Sequence, residues 1–195
     1  MNDDKDWQER LAAAGLVVKK GGADPTGFVP PVVAGQMVSC PPGDGRSEAW
    51  VDIEDRLLHE KANADWYRLS VEGGLFPESD PSFFIGLAPE EEGPGQWIRV
   101  ELQTSWDIMG KGASGLLGSA HGRPEFLALS CDGTVLCCGT TSQFSIGTVV
   151  VTSPDHSEVL RRFARYVATS EIGHPDERTA ARRWLDSNPA HTWNQ

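Results

Sequence analysis

EFLALSCDGTVLCCGTTSQFSIGTVVVTSPDHSEVLRRFARYV, residues 125–167, is the stretch from which the fold can be read. Two runs of apolar and β-branched residues, 125–130 and 134–138, flank Asp132-Gly133. An Asp-Gly pair between two such runs predicts a hairpin, because glycine takes the positive φ the turn needs. Residues 147–152, GTVVVT, form a third β-branched run. Leu127 and Leu129 share one strand face, so both are expected in the core with Val149 and Val151 near them. Ser153 or Asp155 is expected to cap the helix that follows, with Pro154 in its first turn. Val159, Phe163 and Val167 form its expected apolar stripe. Leu160 and Tyr166 flank the stripe, and Arg161, Arg162 and Arg165 lie mostly off it.

Working outward, 6–14 (DWQERLAAA) predicts a short helix. Asp6 would be its cap, Gly15 its end, and Trp7, Leu11 and Ala14 its packed face. Five prolines and six glycines lie between Gly21 and Gly45, so 19–48 is expected to be irregular, with at most short edge strands. A strand is expected at 50–53, a short helix at 54–62 and an alternating strand at 66–71. FFIGL at 83–87 is a short apolar strand. In WIRVELQ, 97–103, Trp97, Arg99 and Glu101 point one way, and Ile98, Val100 and Leu102 the other. Residues 105–123 are expected to be a flexible Gly-rich connector. A last helix is expected at 176–186, anchored by Trp184 and Leu185. Together these elements predict one domain, 1–195, of the α+β class: an antiparallel sheet with helices packed on one face or edge.

The chain has 195 residues and a formal charge of −11. That balance opposes binding to a phosphate backbone or an anionic membrane, both of which need clustered Lys and Arg. It favours a basic protein partner. The opening MNDDKDWQER is acidic and polar, without an apolar run of signal length, so a cytoplasmic protein with reduced thiols is expected.

No catalytic constellation is legible. Cys137 and Cys138 are adjacent and should point to opposite faces of one strand, and no C-x-x-C pair exists, so neither a metal site nor a cofactor is expected. GKGASG at 110–115 lacks the order of a phosphate loop. His121 could act as base for Cys131 or Cys138, oriented by Asp132 or Asp107, if the fold brought them together. The more distinctive signal is tryptophan beside acid. Trp50 precedes Asp52 and Asp55, Trp97 follows the run Glu90, Glu91 and Glu92, and Trp106 precedes Asp107. Exposed tryptophan ringed by charge has the composition of a protein-binding hot spot. Plugging the ends of the sheet is the alternative role for these rings.

One resemblance bears on function. Phe126-Leu127-Ala128-Leu129 with Asp132-Gly133, then Thr134 to Cys138, Val149 to Val151, and Ser157 to Tyr166 resemble the closing segment of the SUKH superfamily. The chain departs from that pattern upstream: the family's Gly-and-Trp element has only Trp66 and Leu75-Phe76-Pro77 as candidates. The resemblance implies a bacterial immunity-type protein that binds and neutralises a toxin, with no catalytic residues to carry over. The expected function is therefore a non-enzymatic protein-binding domain with a basic, toxin-like partner. A small enzyme using His121 with a cysteine or carboxylate remains open, as does a structural or assembly subunit.

Overall fold

The computed structural model describes residues 3–21, 24–88, 93–119 and 121–189. Among them, seven strands form one antiparallel sheet: β1 (Leu16–Val18), β2 (Arg46–Asp52), β3 (Ser82–Leu87), β4 (Gln96–Leu102), β5 (Phe126–Ser130), β6 (Val135–Thr141) and β7 (Ser145–Thr152). Their order is β1-β4-β3-β5-β6-β7-β2. The hairpin expected at Asp132-Gly133 joins β5 to β6, with Leu127 opposite Cys138 and Leu129 opposite Leu136. Gly133 takes φ 77°, and a Cβ there would strike the Phe28 ring. The Asp132 carboxylate accepts from the Thr134 amide at 3.0 Å and from the Ser130 hydroxyl at 2.6 Å, which closes the turn.

The α+β class expected from the sequence is the one observed, but the helices cover both faces of the sheet and not one face or edge. On one face α1 (Asp3–Ala13) and α3 (Leu58–Gly73) pack over Phe83, Ile85, Val100, Ala128, Cys137 and Val150. On the other, α2 (Pro31–Ala34), α4 (Glu158–Thr169) and α5 (Pro175–Ser187) pack over Phe84, Leu129, Leu136, Cys138, Val149 and Val151. Strand alternation sends odd and even residues to different cores. Both sets are apolar in β5, β6 and β7, so both faces must be covered.

Several elements differ from expectation. The strand expected at 66–71 is the second half of α3. Ala62, Trp66, Leu69 and Ser70 are its buried positions, at i, i+4, i+7 and i+8. Six residues of apparent alternation were too short to outweigh that longer helical period. The helix expected at 54–62 starts only at Leu58. Asp6 lies inside α1, pairing with Arg10 at 3.9 Å, and does not cap it. The cap of α4 is Ser157, whose Oγ accepts from the Leu160 amide at 3.4 Å; Ser153 and Asp155 belong to a separate 3-10 turn. That shift rotates the helix: Leu160, Arg161, Ala164, Val167 and Ala168 face the core, and Tyr166 is exposed. Buried Arg161 donates to the Asn188 carbonyl at 2.6 Å and to the Asp155 carbonyl at 3.3 Å, tying the ends of α4 and α5 together. The Gly-rich segment after β4 is no loose connector. Its π-helical turn, Ile108–Gly112, is held by Asp107, which accepts from the Gly110 amide at 2.9 Å and the Asn63 side chain at 2.7 Å. Ile108, Met109 and Leu117 are buried there.

Candidate binding surfaces

The residues expected at a single partner site lie at two distant places. Trp50 and Asp52 belong to β2, an edge strand, and Asp55 to the turn after it. Trp97 belongs to β4, five strands away, which is about 24 Å at 4.8 Å per strand. Trp106 is half-buried, stacked on Tyr67 at 5.6 Å and edge-on to Trp66 at 5.4 Å, so it completes the α3 core. Glu90, Glu91 and Glu92 lie outside the described residues.

At the β2 edge, Trp50 is 40% exposed. It faces Gly147 of β7, where the missing side chain leaves room for its ring: a Cβ there would sit 2.4 Å from the indole. The indole N–H donates to Glu48, and this bond, ahead of the Arg46 contacts, holds the Glu48 carboxyl below its usual range. Asp55 accepts from Lys61 at 2.5 Å and from the Leu57 amide at 2.8 Å, and is held low in that order. Asp52 accepts from the Glu54 amide at 2.8 Å. These acids therefore also organise the strand-to-helix junction.

Trp97 lies in a cleft of about 330 Å³ between the Pro-rich segment before α2, the start of β4 and the first turns of α5. Pro25, Phe28, Pro31, Pro94, Trp97 and Ala180 form its apolar lining. The Trp97 indole donates to the Val29 carbonyl at 2.7 Å, which fixes the ring and straps the 25–32 segment over the sheet. Pro25, Pro30 and Pro31 stiffen that strap through their fixed φ. Asp176, Glu177 and Arg183 stand at the rim. Asp24 is held low first by hydrogen bonds from Thr26 and then by Arg183, so the rim cation already has an acid neighbour. The Glu90–Glu92 run ends just before Pro94 in sequence. Sequence reasoning found Trp97 but not the cleft: its other wall comes from α5, some eighty positions away.

The groups that a cysteine–histidine reaction needs are not assembled. His121 precedes β5 and Cys131 follows it, so a strand of about 16 Å separates them. Cys131 donates to the Ser82 carbonyl at 3.4 Å. Cys138 is buried, and burial pushes its thiol up to about 12. Cys137 is buried on the opposite face and burial raises its thiol further. Asp107 is engaged by Asn63 and Gly110, and no hydrogen bond joins His121 to a cysteine or carboxylate among the described residues. No cluster of three potential metal-ligating side chains occurs among them. None of their helices is long and apolar enough to cross a membrane. Compared with protein-family models, curated proteins and solved structures, the chain matches none.

Proposed function

We propose that the chain is a non-enzymatic protein-binding domain of the immunity type, which neutralises a basic, toxin-like protein by taking one of its apolar segments into the Trp97 cleft. The observation that supports this most is the cleft itself: preformed, proline-stiffened, aromatic at Trp97 and bearing Asp176 and Glu177 at the rim. A fixed indole costs little ordering on binding, which favours it as an anchor. The charge of −11 would steer a basic partner toward this surface before contact. Two acids in the first turn of a helix also answer its dipole, so the apolar lining is the stronger support.

The test uses Ala180→Trp, which fills the cleft from its half-buried α5 wall without removing a core side chain. The partner is the basic protein that co-purifies with the wild-type chain. The expected outcome is loss of binding by at least tenfold, about 1.4 kcal/mol, with an unchanged melting temperature. Undiminished binding by a folded A180W protein would move the interface elsewhere.

A further inference from the structure

The sheet ends in two unequal edges. β1 offers three residues, and β2 offers seven, RSEAWVD at 46–52. Edge strands are usually blunted by proline, by charged side chains (lysine above all) or by a bulge, and the charges of β2, Arg46, Glu48 and Asp52, are of both signs. β2 contains no proline or lysine, and its register with β7 runs unbroken from Arg46↔Val151 to Asp52↔Ser145. The flanking bonds fix which groups point outward. The Ile53 amide donates to the Phe144 carbonyl at 2.9 Å, and the Thr152 amide donates to the Gly45 carbonyl at 3.3 Å. Odd-numbered residues of β2 therefore bond to β7. The amides of Arg46, Glu48, Trp50 and Asp52 point away from the sheet. Among the described residues, nothing pairs with this outer row except the Asp55 amide, which donates to the Asp52 carbonyl at 3.0 Å.

We propose that β2 pairs antiparallel with β2 of a second copy, joining two sheets across a two-fold axis at Ala49. Parity, charge and full overlap of the seven residues together select the register. Outward-facing residues must oppose outward-facing residues, so even positions pair with even positions. Moving the axis to residue 48 would set Glu48 against its own copy. Moving it to residue 50 would set Glu48 against Asp52. Like charges directly opposite are unfavourable. With the axis at Ala49, Arg46 meets Asp52 of the other copy, and Glu48 meets Trp50, already its hydrogen-bond partner within one chain. Arg46 is fixed in position by bonds to the Val38 and Cys40 carbonyls at 3.0 Å and to Glu48 at 2.5 Å, so Asp52 of the second copy would join an ion pair that already exists within one chain. Such a contact is isologous and closes as a dimer, with no free edge left at β2 to propagate. It leaves the Trp97 cleft open.

The test is sedimentation velocity of the full chain in the micromolar range. The wild type is expected to be a dimer. Glu48→Pro removes an outward amide, and the carboxylate paired with Arg46, without touching the β2–β7 ladder; compared with Glu48→Ala, which removes the carboxylate alone, it should weaken the dimer roughly tenfold or more with little difference in melting temperature. Ala49→Cys places two thiols across the axis in a non-hydrogen-bonded pair, with Cα atoms about 4.5 Å apart, within disulfide reach. Copper-phenanthroline oxidation should link A49C protomers and leave Ser47→Cys unlinked. A wild-type chain that stays monomeric overturns the proposal. So does a dimer that E48P leaves intact, or a dimeric A49C protein that will not cross-link.

Discussion

Cys137 and Cys138 are neighbours in sequence and lie in different cores, one under α3 and one under α4. Burial raises both thiols, Cys138 to about 12. A thiol raised on folding contributes stability that is full below its unfolded value, about 8.5, and is lost as pH rises toward the folded one. The melting temperature should therefore hold from pH 6 to 8 and fall above about pH 9, as a calorimetric series would show. At pH 8 a thiol-specific chromophoric reagent should label half-exposed Cys131 first and leave Cys40, Cys137 and Cys138 protected in the folded protein. Leu129 is fully buried between the sheet and the helices above it. Leu129→Asp would bury an unpaired charge, at a cost of about 4 kcal/mol or more. The expected result is loss of the cooperative melt, and a soluble L129D protein that still melts cooperatively would count against this sheet.

The caps separate the two readings of α4. Ser157 holds the Leu160 amide, whereas the Ser153 side chain makes no cap bond. Ser157→Ala should cost about 1 kcal/mol, lowering the melting temperature by roughly 2–4 °C for a chain of this size. Ser153→Ala should leave it within error. What the sequence made legible follows from how local the signal was. Asp132-Gly133 between apolar runs is a short-range signal, and the β5–β6 hairpin lies where it predicts. Trp97 to Leu102 alternates, and its two faces separate as expected. Trp66 to Val71 taken alone fits a strand, and only Ala62 upstream restores the helical period of α3. Helices on one face or edge were expected; cover on both faces follows from the unbroken apolar runs of β6 and β7, a signature usually associated with parallel sheets and so not weighed for an antiparallel one. The cleft was not legible, because it needs α5 against a proline segment far from it in sequence.

At the scale of the whole molecule, stability should not depend on metal. The four cysteines are free and spread over three settings: Cys40 against Ser157, Cys131 against the Ser82 carbonyl, and the Cys137–Cys138 pair split between two cores. Treatment with a chelator should leave the melting temperature unchanged; a drop of several degrees restored by zinc would contradict this. Binding as proposed would depend on charge at long range and on the Trp97 cleft at short range. A strongly acidic binder meeting a basic partner gains mainly in association rate, and rim charges act on that rate more than on dissociation. Asp176→Lys with Glu177→Lys should therefore slow association while leaving dissociation nearly unchanged. The most direct measurement is the association rate, by surface plasmon resonance, with the co-purified basic partner at about 0.1 M and about 1 M salt, where the Debye length falls from about 10 Å to about 3 Å. The account predicts at least a tenfold slowing at high salt. Equal rates at both salts, or turnover of a substrate that His121→Ala abolishes with the fold intact, would contradict it.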